Sequence, residues 1–203
     1  SKYDQVQAGS TAFSNEEMRG LAIFSDTQRG NCTSCHSVKP RGEGESRLFT
    51  NFGYAALGTP RNHTVSANAD PSHFDLGLCA RDSINGASDR KVRRARYCGL
   101  FKTPTLRNVE RTAPYFHNAS VATLEDAVRF HFERDTQPQK WYRKADGSAD
   151  RRYNDLPSRY HGNLAGGRPF NGRYRPSDQD IADLIAFLKT LNDADQTEPL
   201  PAR

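Results

Sequence analysis

Three stretches of the chain place apolar residues at helical spacing, and each opens on a residue that caps helices. Ser14-Asn15-Glu16-Glu17 reads as a capping box, with Ser14 as N-cap and Glu17 at N3. The helix it predicts puts Met18, Leu21 and Ala22 on one face and stops before Gly30. Thr123-Leu124-Glu125-Asp126 is a second such box, with Asp at N3. Beyond it Leu124, Ala127, Val128 and His131 fall at i, i+3, i+4 and i+7, a single stripe. Ser177-Asp178-Gln179-Asp180 caps a third helix whose face is Ile181, Leu184, Ile185, Leu188 and Leu191. Residues 39–100 and 135–176 lack periodicity and are rich in Gly, Asn, Ser and Asp, with Pro40, Pro60 and Pro71 in the first. Residues 1–13 read as a tail or interdomain linker, 14–195 as one domain and 196–203 as a C-terminal tail. The pattern predicts a mostly α domain with long irregular loops and no internal repeat.

The loop after the first helix changes this picture. Cys32-Thr33-Ser34-Cys35-His36 spells C-x-x-C-H, the attachment site of a c-type haem. The two thiols add to the haem vinyl groups, the spacer sets their reach, and His36 lies under the iron as its proximal ligand. A zinc site needs a second ligand pair at short spacing, and Cys79 and Cys98 are too far apart to supply it. A thioredoxin-type dithiol sits in a βαβ pattern, which is not visible nearby. The reading is a cytochrome c-like domain, with the loops wrapping the haem edge.

Composition then narrows the setting. The 203 residues suit one domain with a long insertion. Only 35% are hydrophobic, so the apolar faces of a haem would add core that the sequence does not supply. No apolar run approaches the ~18 residues of a membrane span. Haem c is attached outside the cytoplasm in bacteria, so the expectation is a periplasmic or otherwise exported protein whose signal has been removed. Cys79 and Cys98 are expected to pair there as a disulfide, closing an insertion of about twenty residues for a stabilisation of about 3 kcal/mol. Net charge is +5, with basic residues clustered from Arg90 to Arg96. Such a cluster is more commonly a solvated face; its functional alternative in a haem protein is a docking patch for an acidic redox partner rather than for nucleic acid.

The second axial position of the iron is the open question, because a closed iron favours electron transfer and an open one favours peroxide or oxygen chemistry. Met18, the only methionine, leads into the proximal side and reads as a core residue. His63, His73 and His161 lie in polar stretches. His131 alone sits on an apolar helical stripe, where it is either a ligand or a packed core histidine.

Phe101-Lys102-Thr103-Pro104-Thr105-Leu106-Arg107-Asn108-Val109 and Thr112-Ala113-Pro114-Tyr115-Phe116-His117-Asn118 resemble the signature of the bacterial di-haem cytochrome c peroxidase and MauG family. Gly20-Leu21-Ala22-Ile23-Phe24, Asn51-Phe52-Gly53-Tyr54 and Thr123-Leu124-Glu125-Asp126 carry the same resemblance. It covers the C-terminal, electron-donating half of such a protein; residues 3–13 resemble the linker that follows the first haem domain. The resemblance implies a sixth ligand fourteen residues after His117, Met in the peroxidases and Tyr in the MauG branch; that position here is His131. The implied iron is bis-histidine. The resemblance also implies a calcium ion held in part by the carbonyls of Thr112 and Pro114, and haem propionates paired with Arg107 and Lys102.

Three functions follow as expectations. The first is an electron-relay haem c domain working with a redox partner protein. The second is part of a di-haem peroxidase or a MauG-like oxidase, an enzyme only where a second haem-bearing domain or chain is supplied, with Trp141 as a possible hopping site. A haem-based sensor, in which His131 dissociates, is a third.

Overall fold

The computed structural model describes residues 1–40, 42, 45–80 and 95–193. The main helices among them are α1 Lys2–Gln7, α2 Asn15–Ser25, α3 Leu124–Glu133, α4 Pro138–Trp141 and α5 Asp178–Lys189. Among the described residues sheet is confined to two short antiparallel strands, β1 Tyr54–Ala55 and β2 Phe101–Lys102, which pair Tyr54 with Lys102 and Ala55 with Phe101. Short 3-10 turns at Cys32–Ser34, Ser66–Ala69, Leu78–Ala80, Val109–Arg111 and Ser158–Asn163 punctuate the connections. No helix among the described residues is long and apolar enough to cross a membrane.

The caps form where the polar pattern places them. Ser14 accepts from the Glu17 amide while the Glu17 carboxylate accepts from the Ser14 amide, and Ser177 and Asp180 repeat the exchange at α5. The α3 cap closes differently. Thr123 Oγ1 accepts from the Asp126 amide at 3.0 Å, but the Asp126 carboxylate turns to the Thr123 hydroxyl at 2.8 Å instead of the backbone.

Helices α2 and α5 cross at Gly20. A Cβ there would stand 2.0 Å from the Asp183 carbonyl oxygen and 2.8 Å from Phe187 Cβ, so only glycine permits this approach. The close crossing sets which face of α2 is buried: Gly20, Ile23 and Phe24. Of the expected face, Met18 and Ala22 are therefore exposed, and Leu21 alone packs, partly buried, against the core. Met18 is 50% exposed and is not a core residue. Arg19 forks onto the buried Asp183 with two bonds of 2.7 and 2.8 Å, fixing the two helices in register. The α5 face is as the stripe predicts, with Ile181, Leu184, Leu188 and Leu191 buried and Ile185 partly so.

The segment read as a tail or linker contains α1, which docks on this core. Tyr3 is buried edge-on against Phe49, 4.9 Å between ring centroids, and its amide donates to the Thr190 carbonyl. Lys2 pairs with Glu17 and Asp4 with Arg107, both at 2.7 Å. Cys79 and Cys98 form the expected disulfide, buried, with 4.8 Å between Cα atoms. Most of the insertion it closes, including Arg90 to Arg94 of the basic cluster, lies outside the described residues, as does the expected tail 196–203.

Candidate functional site

The C-x-x-C-H loop is built by the end of α2. The Gly30 amide donates to the Ile23 carbonyl, and a Cβ at Gly30 would lie 2.5 Å from that oxygen. Asn31 then takes a left-handed conformation, φ 50°, and the chain winds into the 3-10 turn Cys32–Ser34. Asn51 clamps the turn from outside: its amide donates to the Cys35 carbonyl at 2.8 Å and its side chain to Ser34 at 3.1 Å. Both thiols are free. Burial, with the neighbouring Cys35, pushes the Cys32 thiol up to about 12, so it remains protonated at neutral pH.

Two imidazoles are prepared in the same way. His36 Nδ1 lies 3.0 Å from the Phe49 carbonyl, and His131 Nδ1 lies 2.7 Å from the Ala127 carbonyl one turn earlier in α3. A carbonyl only accepts, so each Nδ1 carries the proton and each Nε2 keeps its lone pair. The rings are electrostatic neighbours. Burial lowers His36 to about 4, the bond to Phe49 opposes this, and a charge on His131 would lower it further. His131 is lowered too, by burial first and by the nearby Arg134 charge, against the pull of the Ala127 carbonyl. Both rings are neutral at pH 7, the form that binds a metal.

The surroundings of His131 are aromatic. Phe170 stacks on it at 5.7 Å and 28°, Phe116 lies at 5.9 Å and Phe130 at 6.3 Å. Cys32, Val38, Leu106, Phe116, Leu124 and Val128 pack on the core yet stay only partly buried. Free thiols, two Nε2 donors and half-covered apolar side chains are the donor set and surface that a covalent haem requires, so the residues present fit that group.

The other histidines are engaged differently. His63 and His161 use Nε2 on the carbonyls of Arg143 and Leu156. His117 lies flat on Phe101, 3.4 Å between centroids. His73 is exposed on the loop that Arg61 organises. Arg107 is taken up by Asp4 and by the Arg47 carbonyl, and Lys102 Nζ sits over the Phe52 ring at 5.0 Å. Thr112 and Pro114 are exposed, and Pro114 follows a cis peptide bond. Among the described residues no cluster of three or more His, Cys, Asp or Glu side chains is arranged to hold a metal ion. Sequence reasoning passed over Phe170 and Arg134, both close to His131 in space, and Asp135, which Arg134 holds. Their positions carry no periodic signal, since Phe170 arrives from an irregular stretch and Arg134 is a charge buried at a helix end.

No protein-family model matches the chain. MauG of Paracoccus denitrificans is 36% identical over 133 residues, which is 64% of this chain and 32% of that protein. Cytochrome-c peroxidase IdrP1 of Denitromonas iodatirespirans is 26% identical over 211 residues, covering 98% of this chain and 45% of its own length. The solved structure of the diheme peroxidase BthA from Burkholderia thailandensis matches with a TM-score of 0.82 and 40% identity, over 96% of this chain and 46% of BthA. The chain thus spans less than half the length of these relatives. It belongs to the bacterial di-haem cytochrome c peroxidase and MauG family.

Proposed function

We propose that the chain is a haem c electron-relay unit, holding one haem through Cys32 and Cys35 with His36 and His131 as the two axial ligands. The observation that carries this reading is the matched pair of imidazoles, each held by Nδ1 on a backbone carbonyl, with the Pro104 backbone as a further partner of His36. The haem would supply a one-electron ferric/ferrous couple. What the chain supplies is ligation, a fixed tautomer on each side and an apolar setting. Two imidazoles stabilise ferric iron better than a His/Met pair, so a lower potential than that of His/Met cytochromes is expected. A closed iron of this kind suits relay rather than peroxide binding. Attachment of haem c, which takes place outside the cytoplasm in bacteria, supports a periplasmic or otherwise exported setting.

The catalytic reading is a peroxidase or MauG-like oxidase whose second haem lies on another domain or chain, and the partial coverage of two-haem relatives favours it as the context of the relay. In that context a calcium ion would take the carbonyls of Thr112 and Pro114 and fill its six to eight oxygens from water or the second domain. Arg107 and Lys102 are the propionate partners in this reading.

Low-temperature EPR of the ferric haem-loaded protein tests the ligation. The wild type is expected to be low-spin, His131→Ala high-spin, and His117→Ala unchanged. A high-spin wild type, or a low-spin His131→Ala, sinks the bis-histidine assignment.

A further inference from the structure

Tyr153 stands out on three counts. It is a non-glycine residue in the left-handed region, φ 55°, a conformation unfavourable for an aromatic residue that persists only where the surroundings enforce it. Its hydroxyl donates to Asp135 Oδ1 at 2.7 Å. Its ring rests against Gly58, where a Cβ would come within 2.7 Å of it, and meets the rings of His161 at 5.2 Å and Tyr142 at 5.6 Å.

The carboxylate beside it is equally constrained. Asp135 takes a two-pronged bond from Arg134, at 2.8 and 2.7 Å, and Arg152 donates to its carbonyl. Arg134 is 2% exposed and also donates to the Leu57 and Ala165 carbonyls. Its guanidinium lies 5.6 Å from the Tyr153 ring and 4.0 Å from the ring of Phe170, which in turn stacks on His131. A continuous line of contacts therefore runs from Tyr153 through Arg134 and Phe170 to the imidazole.

We propose that Tyr153 and Asp135 form a proton-coupled redox site, at which Tyr153 loses one electron as its phenolic proton passes to Asp135. The O–H bond of Tyr153 breaks and an O–H bond forms on Asp135 Oδ1, leaving a neutral tyrosyl radical and a neutral carboxylic acid. The electron goes to a high-potential one-electron acceptor, the class of oxidant that peroxide reduction generates. Return of one electron to the radical and of the proton from Asp135 restores the pair. The chemistry requires this arrangement, because a phenol stripped of an electron is a strong acid and is oxidised readily only where a base already holds its proton. Asp135 is such a base: burial alone would raise it, but the bonds from Arg134 and Tyr153 outweigh that and keep it ionised. A merely structural brace needs neither the line of contacts to His131 nor a strained backbone at the tyrosine. The link to the haem rests on the proposed role of His131; the tyrosine–carboxylate pair does not.

Flash oxidation of the haem-loaded protein with a ruthenium(III) tris-bipyridine complex, with persulfate as the sacrificial acceptor, tests the pair. The radical is followed by EPR and transient absorbance. The wild type is expected to give a tyrosyl radical whose formation slows in deuterated water. Tyr153→Phe, which keeps the ring packing, is expected to lose most of that signal, while Tyr54→Phe, at an exposed tyrosine without a carboxylate partner, keeps it. Asp135→Asn is expected to slow radical formation by about 10²-fold, the usual contribution of a positioned base. Should Asp135→Asn fail to fold with Arg134 left unpaired, the isotope effect and Tyr153→Phe decide the matter. An undiminished signal in Tyr153→Phe, or no solvent isotope effect in the wild type, overturns the proposal. The ferric spin state of the same samples reports on His131 separately.

Discussion

Asp4 and Arg107 show how one pair of side chains ties a peripheral helix to the core. The Arg107 hydrogen bonds hold the Asp4 carboxyl well below the usual carboxylate range, against the opposing effect of burial and with help from the Ser1 hydroxyl. A depressed folded value means that the stabilisation is present above the ordinary aspartate value and is lost as the pH falls through the lower one. Asp4→Asn is therefore expected to lower the Tm at neutral pH and to flatten the fall in Tm on acidification, with little difference left at the acid end. Thermal melts of both proteins from neutral to acid pH check this. Arg61 illustrates what the sequence hides at this scale. It pairs with the buried Asp155 at 3.1 Å and gathers the carbonyls of Asn68, Asp70 and His73, so one guanidinium shapes a loop whose only regular structure is a short 3-10 turn. No pattern distinguishes that arginine from the chain's many solvated ones, because its partners are backbone groups brought close only by folding.

Helix ends were legible where their signals are local. A capping box spans four residues, so Ser14–Glu17 and Ser177–Asp180 can be read without knowing the fold. The buried face of α2 was not legible, because it is chosen by the partner helix. Its two possible stripes differ by a small rotation, and the close approach of α5 at Gly20 selects Gly20, Ile23 and Phe24. Gly20→Ala places a methyl group into the α5 backbone and is expected to destabilise the protein by about 1–3 kcal/mol, the usual cost of overpacking. Urea unfolding of the haem-loaded protein measures it. A change within error would mean that the two helices can separate without cost. Helix α3 lies between these cases. Its stripe of Leu124, Ala127, Val128 and His131 was readable, yet only Ala127 of the four is buried, while Phe130 and Phe132 face the protein interior.

At the scale of the whole molecule, low hydrophobic content is offset by cross-links of several kinds. The Cys79–Cys98 bond fastens the end of the insertion at Gly77, whose neighbour Leu78 donates to the Leu100 carbonyl at 2.9 Å. Replacing both cysteines by serine is expected to cost about 2–5 kcal/mol, read as a lowered denaturation midpoint, with the ferric EPR spectrum unchanged because neither cysteine belongs to the haem motif. What the sequence by itself determined is local: the C-x-x-C-H turn, the helix caps, the α5 stripe and the odd polar residue, His131, on the α3 stripe. Each depends on neighbours within one or two turns of chain. Only the tertiary structure decided that His36 and His131 become electrostatic neighbours, that Nδ1 of each is occupied by a carbonyl, and that Arg134, Asp135 and Tyr153 line up behind Phe170. Apart from the His131–Ala127 bond, which lies within one helical turn, those relations join segments distant in sequence, and they exist only once loop closure and core packing have brought the segments together.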